Sequence, residues 1–595
     1  MEPINSFAEL YRVLKGYKEN PKLLAYQTDS GFEPVSSSEM LDSIKYFALG
    51  LKQLGIKKGD MIGILAGSSP RWTIADIAIA ISGAVSIPLF ANISHENYEF
   101  EMRQTEMKYL IVAGKEQWEM YEKHKELIET TINLYDEEVR HEAHRFSEII
   151  EQGKALEEKQ PQLFEEMLDM VNPNDLASIV YTSGSTGMPK GAMLTQKNLL
   201  AHAHFDPFSF DRDSDLYLNI LPLAHIFGRT VNYIVLAKGI STFYLRDIKT
   251  VGKVCKELHP TMSVLVPRLL EKIYAKMLAN VQNAGFLKRT LGQWAFDLAN
   301  SEDDSSLYKQ LMHPIADKIV YSALREALGG KFRVILTGGA ALNPHLYHFF
   351  LDIGLPIYEG WGMTEACPVG LNLPGYLKIG SVGKSLQGME VKLSPEGEIL
   401  VKGPCKMLGY YKNPEATKRA LDSEGWLHTG DKGKIDDEGF VYIIGRMKEL
   451  FKLSTGKFIA PVPIEQILTK APLIDMAMVV AEGRSFATAL LFPDHEVLNA
   501  LKKAHGKESA SDEEFLSSDF VKQEMKRLLE ELNKHVNHWE EVRDFRFITQ
   551  PPAIETGELT PTMKLRRDFV SLKYKDAIES MYQVEPGAVD GDYGG

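Results

Sequence analysis

The chain has 595 residues, 44% of them hydrophobic and 25% charged. That length exceeds one compact core, and the composition is that of a folded multidomain protein, which excludes disordered and fibrous classes. Lysine and arginine number 67 against 81 aspartates and glutamates, and the resulting net charge of −14 excludes a general nucleic-acid-binding surface.

In chain order, "MEPINSFAELYRVLKGYKEN" lacks the basic start and apolar run of a secretory signal. Phe7, Leu10, Tyr11 and Leu14 instead share one face of an amphipathic helix. "IAIAISGAVSIPLFA" from Ile77 is shorter than the ~20 apolar residues of a membrane span, and Ser82, Gly83 and Pro88 interrupt it. It reads as a buried helix followed by a buried strand. Apolar runs rich in β-formers ("GDMIGILAG", "KYLIVAG", "LASIVYTS", "TMSVLVP", "FRVILTGG") alternate with helical patterns, which predicts α/β layering. Helical sequence fills much of 115–170 and the stretch from Leu269 to Leu328. From about Gly380 the texture changes to short strands with glycine turns. After "GRMKELFKLSTGK" a separate α+β lobe begins, and "EPGAVDGDYGG" reads as a disordered tail. Cys255, Cys367 and Cys405 are scattered and odd in number, which favours a reducing compartment over disulfides or structural zinc.

The densest chemical signal is "YTSGSTGMPKGAML" from Tyr181, which crowds hydroxyls, glycines and one lysine together. Ordered glycine is entropically costly and a packed core has no use for rows of hydroxyls, so the pattern points to donors gathered around an anion. It is not a P-loop: Pro189 precedes Lys190 and Gly191 follows it, where GxxxxGK needs serine or threonine opening a helix. "GSVGKS" at Gly380 fails too, and no GxGxxG occurs. The flanking patterns predict strand–loop–strand, with Thr195 capping the next helix. His202 and His204 are too close in sequence to share one helix face. "HEAH" at 141–144 has no neighbouring metal ligands and reads as solvated surface.

"YTSGSTGMPKGAMLTQKNL" resembles the phosphate loop of the adenylate-forming superfamily: acyl-CoA synthetases, peptide-synthetase adenylation domains and luciferases. "LPLAHIFGR" (221–229), "LTGGAAL" (336–342), "YEGWGMTE" (358–365), "GWLHTGD" (425–431), "GRMKELFKLSTGK" (445–457) and "LTPTMKLRR" (559–567) resemble further signatures in the family's order. "KLSTGKFIAP" and the helical stretch before Gly329 most resemble the long-chain fatty acyl-CoA synthetase branch.

The resemblance implies a multidomain α/β and α+β fold. A large N-terminal AMP-binding domain of layered α/β subdomains would span 1–446, with a β-rich subdomain at about 380–446. A small mobile C-terminal α+β domain would span 447–580, before a tail at 581–595. It implies attack of a fatty acid's carboxylate on the α-phosphate of ATP, giving acyl-AMP and pyrophosphate, then transfer to coenzyme A with Mg²⁺ as cofactor.

Thr182, Ser183, Ser185, Thr186 and Lys190, with Gly184 and Gly187, resemble the loop that holds the β- and γ-phosphates. Glu365 resembles the magnesium carboxylate and Thr364 its phosphate-contacting neighbour. Trp361 replaces the family's usual tyrosine at the adenine, and Glu359 stands where an amide is common. Gly338, Gly339, Ala340, Gly360 and Gly362 leave room for nucleotide. Asp431 resembles the ribose ligand, with Arg446 assisting. His225 matches a position lining the substrate carboxylate, and Lys564 the residue stabilising charge in the first step. Lys448 resembles the hinge, and Lys452, Ser454 and Gly456 the loop of the thioester step. The acyl pocket is expected from Tyr233, Pro267, Arg268 and Gly338 onward.

The expected partners are fatty acid, ATP and CoA, and no nucleic acid. The expected location is cytoplasmic, with peripheral contact at the inner face of the membrane and the oligomeric state left open. Two alternatives also stay open: a fatty acyl-AMP ligase serving a carrier protein, and a noncatalytic nucleotide- or lipid-binding protein of the same fold.

Overall fold

The computed structural model describes residues 2–136, 142–182, 189–301, 303, 305–447, 450–455, 457–534, 536–554, 556–560 and 564–582. Its contacts separate two units. The first is Met1–Ser394 with Ile399–Thr429 and Ile435–Tyr442; the second is Pro395–Glu398, Gly430–Lys434 and Ile443–Gly595.

The "IAIAISGAV" stretch shows how local signals set the first unit. Helix Pro70–Ser82 (α1) starts at Ser69, whose hydroxyl accepts from Trp72 N–H, and has Pro70 in its first turn. It stops at Gly83, which adopts a left-handed φ of 81° that a β-carbon would strain. The chain then enters strand Val85–Leu89, buried at every position. Helix and strand are both core, as the interrupted apolar run predicts.

That strand lies inside an eight-stranded sheet ordered His144–Arg145, Thr130–Asn133, Tyr109–Val112, Met61–Leu65, Val85–Leu89, Leu176–Thr182 (β1), Lys190–Thr195 (β2) and Gly409–Tyr410. The last two junctions are antiparallel and the others parallel. A nine-stranded sheet runs Gly31–Val35, Leu24–Thr28, Ser241–Tyr244, Leu216–Asn219, Met262–Val264, Val334–Thr337 (β3), Ile357–Met363 (β4), Ala366–Leu371 and Lys384–Ser385. Its central strands are parallel.

Helix Ile226–Ala237 (α2) ties the two sheets together. Its Arg229 donates to Asp76 on α1 through Nε (3.0 Å) and Nη2 (2.5 Å), and to the Ser178 hydroxyl on β1 at 2.7 Å. Tyr233, one turn on, donates to the same Asp76 carboxylate. Arg229 and Asp76 are fully buried, so each charge depends on the other for solvation.

Helices Pro267–Gln282 (α3), Phe286–Ala299 (α4) and Leu307–Ala316 (α5) fill the predicted helical stretch. They pack Leu270, Met277, Phe296 and Ala316 into a core shared with Phe349 and Phe350. A four-stranded sheet of Glu390–Leu393, Glu398–Lys402, Leu427–Ile435 and Val441–Arg446 forms the β-rich region. In the second unit, strands Ile474–Val480, Ala487–Pro493 and Val542–Phe547 make a sheet covered by Pro461–Leu468 and Asp519–Asn533, with Ile464, Leu491 and Met525 in its core.

Asp76→Ala leaves the Arg229 charge buried without a counter-ion. It is expected to destabilise the first unfolding transition in urea by about 3–5 kcal/mol; a shift below about 1 kcal/mol would contradict the role given to this pair.

Candidate active site

β1 and β2 are paired to the last residue on each side of the phosphate-loop candidate: Tyr181 faces Gly191 and Thr182 faces Lys190. The Thr182 hydroxyl donates to the Lys190 carbonyl at 3.4 Å. A β-carbon at Gly191 would stand 2.5 Å from the Ile179 side chain, so only glycine lets the hairpin close. Thr195 ends β2 by capping helix Gln196–Leu200 as predicted. Ser183, Gly184, Ser185, Thr186 and Gly187 lie outside the described residues, as do His141 and the final thirteen residues, 583–595.

At the outer edge of β2, Gly409–Tyr410 adds a two-residue strand, with Gly409 opposite Met193 and Tyr410 opposite Ala192. Tyr411 N–H donates to Gly191 O at 2.8 Å and locks the register. Two candidate site side chains therefore meet on Tyr410. The Lys190 ammonium sits 5.4 Å from the ring centroid, within cation–π range. The Tyr410 hydroxyl donates to Glu365 Oε1 at 2.6 Å. Glu365 is only 7% exposed, and its carbonyl accepts from Met407 N–H at 2.8 Å, so both backbone and side chain are held. Sequence reasoning missed Tyr410. Its one signal is an aromatic directly after a glycine in "LGYYKNP", too common a pattern to single out.

An oxygen-only carboxylate with one oxygen restrained suits a hard cation such as Mg²⁺, which takes one or two carboxylates and completes its shell with phosphate oxygens and water. Among the described residues no group of three or more histidine, cysteine, aspartate or glutamate side chains could hold a metal ion. Thr364, partly buried, immediately precedes Glu365.

β3 and β4 run parallel, with Thr337 opposite Glu359. Past the end of β3, a β-carbon on Gly338 would stand 2.7 Å from the Gly360 carbonyl oxygen, and Gly339 takes φ 81°. Ala340 follows in this turn. Glu359 and Trp361 are buried on one face of β4, while Gly360 and Gly362 alternate with them. The Glu359 carboxylate reaches back to accept Leu342 N–H at 2.9 Å, which fastens the 338–342 turn to β4. Burial pushes its pKa up to about 7, with the Leu342 bond opposing the shift. The residue is therefore poised between acceptor and donor near neutral pH.

His225 caps α2: its Nδ1 accepts Phe227 N–H at 3.2 Å, which puts the ring proton on Nε2 and makes that atom a donor toward an acceptor. The Arg229 network anchors the same helix one turn later. Tyr233, named with the pocket expectation, is fully buried and its hydroxyl donates to Asp76, so it braces the two sheets. Pro267 is buried as the first residue of α3, with Arg268 beside it.

In the second unit, Asp431 is 4% exposed and its Oδ1 lies 3.0 Å from Arg446 Nε. Gly430 turns there at φ 72° and donates to Glu398 Oε1 at 2.8 Å. Lys452 N–H donates to Glu482, and Ser454 donates to Arg484 O through N–H (2.9 Å) and Oγ (3.2 Å). Lys564 is exposed; Thr560 N–H donates to Lys564 O at 2.8 Å and Lys564 N–H to Thr560 Oγ1 at 3.1 Å. Arg567, which opens the helix that follows, pairs with Glu465 at 2.5 Å. Lys448 and Gly456 lie outside the described residues.

Residues 14–411 match the family model described as AMP-binding enzyme, and 448–586 match AMP-binding enzyme C-terminal domain. The chain belongs to the AMP-binding enzyme family. It is 32% identical over 589 residues to the long-chain-fatty-acid–CoA ligase FadD15 of Mycobacterium bovis, covering 96% of each chain. It is 30% identical to the human long-chain-fatty-acid–CoA ligase 6, over 93% of this chain and 83% of the human one. Its fold matches the crystal structure of the adenylation domain of a carboxylate reductase from Mycobacterium chelonae with a TM-score of 0.74 at 22% identity, over 98% of this chain and 92% of that one.

In an AMP-binding enzyme, a carboxylate oriented by a tyrosine hydroxyl is sensitive to removal of that hydroxyl alone. Tyr410→Phe is expected to raise the divalent-ion concentration for half-maximal ATP consumption about 10–100-fold while keeping the thermal midpoint. An unchanged metal dependence would contradict the orienting role.

Proposed function

We propose that the chain is an AMP-forming long-chain fatty acid–CoA ligase. The observation that carries this reading is its likeness, over nearly its whole length, to proteins that bear that name. In the first half-reaction a fatty acid carboxylate oxygen attacks the α-phosphorus of ATP. The bond from that phosphorus to the β-phosphate's bridging oxygen breaks, and pyrophosphate leaves acyl-AMP behind. In the second, the CoA sulfur attacks the acyl carbonyl carbon after losing its proton, and AMP departs with the electron pair of the broken bond.

Each proposed role follows from what the side chain can offer. Thr182, Lys190 and the intervening loop hold the β- and γ-phosphates, where a lysine at a hairpin root supplies a fixed positive charge. Glu365, oriented by Tyr410, holds Mg²⁺ together with Thr364; the bound ion supplies neutralisation of phosphate charge. Glu359, Trp361 and the Gly338–Ala340 turn receive adenine, and Asp431 with Arg446 receives the ribose hydroxyls. His225 Nε2–H faces the acid's carboxylate. Lys564 comes from a smaller lobe at 447–580, hinged at Lys448 against a larger one at 1–446, and neutralises charge as the carboxylate meets the phosphate. Lys452, Ser454 and Gly456 serve the thioester step.

Three buried thiols without a disulfide support a cytoplasmic location. Among the described residues no helix is long and apolar enough to cross a membrane, and contact with the bilayer is proposed as peripheral.

Pyrophosphate release driven by fatty acid, followed with and without CoA, tests the reading. Release, with acyl-CoA appearing when CoA is supplied, is expected; release that stalls at acyl-AMP with CoA present, or no release, contradicts it. Lys564→Ala is expected to slow acyl-AMP formation on the order of 10²–10³-fold. Thioester formation from supplied acyl-AMP should be far less affected, and equal loss in both halves would overturn the assignment.

A further inference from the structure

Glu558 stands immediately before "LTPTMKLRR", and none of the roles assigned above uses it. It is fully buried, whereas Lys564 is exposed. Both carboxylate oxygens are engaged. Oε1 accepts from the Lys573 ammonium and, at 3.0 Å, from the Tyr574 hydroxyl, while Oε2 accepts from the Thr556 hydroxyl. Lys573 ends the helix Arg567–Lys573 and Tyr574 caps it. Burial works to raise the Glu558 pKa, yet Lys573, Thr556 and Tyr574 hold it below the ordinary carboxylate range. Burying a paired charge gains little stability over apolar packing, but it admits fewer arrangements, because every partner must be in place at once.

The main chain of the same residue is also engaged. Glu558 O accepts Arg566 N–H at 2.7 Å, Leu559 and Leu565 form an antiparallel bridge, and Thr560 N–H donates to Lys564 O. Leu559 is 3% exposed in a cluster with Met476, Leu490 and Val570, against which Leu565 also packs. Residues 556–560 and 564–566 belong to no helix or named strand, so these few ties set where the Lys564 backbone lies. They converge on Glu558. Its carbonyl holds the chain just after Lys564, and its carboxylate holds the end of the helix that follows.

We propose that Glu558 is a positioning residue for Lys564. It fixes the backbone from which the lysine ammonium reaches out, and it contacts no substrate itself. A charge-stabilising group works only at its proper place, and a displacement of about 1 Å can cost ~10²-fold in rate. This role rests on the ligase reading, which assigns Lys564 to acyl-AMP formation.

Acyl-AMP formation in a single turnover, and thioester formation from supplied acyl-AMP, are measured for the wild type, Glu558→Gln, Lys564→Ala and the double variant. Glu558→Gln keeps the side chain's size and removes the charge that pairs with Lys573. It is expected to slow acyl-AMP formation about 10–100-fold. Half-saturating ATP should stay the same, and the thioester step should remain within about twofold of wild type. Added to Lys564→Ala it should cost nothing further, since both changes act through one ammonium. Tyr574→Phe removes one hydrogen bond from the same carboxylate and keeps the ion pair; it is expected to slow acyl-AMP formation about three- to tenfold, and it carries the test where Glu558→Gln does not fold. Equal loss in both half-reactions, or a loss that adds in full to that of Lys564→Ala, would overturn the proposal and leave Glu558 a brace of the second unit. If Lys564→Ala slows acyl-AMP formation while Glu558→Gln and Tyr574→Phe do not, the positioning role alone falls. If Lys564→Ala itself leaves that step intact, the reading of Lys564 falls and the positioning role with it.

Discussion

A carboxylate and a triphosphate repel one another, and the arrangement of this chain follows from the need to suppress that repulsion locally. In the first unit the side chains proposed for that task gather on one phenol. Tyr410 receives Lys190 on its ring face and holds Glu365 with its hydroxyl at 2.6 Å, so a cation and a metal-competent carboxylate are kept beside each other without pairing directly. A direct ion pair would satisfy both groups and leave little for a substrate. An intervening ring keeps each oriented and separately available to phosphate oxygens and a divalent ion.

That cluster is only as precise as the frame beneath it. The hairpin of β1 and β2 sets Lys190, the short strand at Tyr410 is zipped to the hairpin's edge, and the close approach at Gly338 and Gly360 brings β3 and β4 together. The Arg229–Asp76–Ser178 network then fixes α2, and with it His225, against the same β1 strand that leads into the phosphate loop. Buried charge is a costly way to join two sheets, but it specifies one register where apolar packing alone tolerates several. In the second unit ion pairs recur on a smaller scale: Asp431 is paired with Arg446, and Arg567, three residues after Lys564, is paired with Glu465.

Much of the fold was legible in the sequence because its signals are local. Ser69, Pro70 and Gly83 bracket a helix, the β-branched runs mark buried strands, and the glycine and hydroxyl cluster after Tyr181 marks a loop between paired strands. What escaped depends on register between distant segments. Nothing near Tyr410 announces that its strand will lie against β2, and nothing in "PLAHIFGRTVNY" shows that the Tyr233 hydroxyl will donate to Asp76. Periodicity shares this limit: Leu307, Leu311, Ile315 and Ile319 carry the spacing of a core-facing stripe, and only packing reveals that Lys309 took the inward side. The family order of motifs supplied the site residues as a set, whereas the contacts that orient them came from tertiary structure.

The central claim, that an acid's oxygen attacks the α-phosphate directly, is tested most plainly by following the atom. Fatty acid labelled with heavy oxygen in its carboxyl group is turned over with ATP, magnesium and CoA, and the AMP is weighed by mass spectrometry. One labelled oxygen per AMP, retained from the acyl-AMP linkage, is the predicted result. Unlabelled AMP, or ADP in place of AMP, would contradict the account.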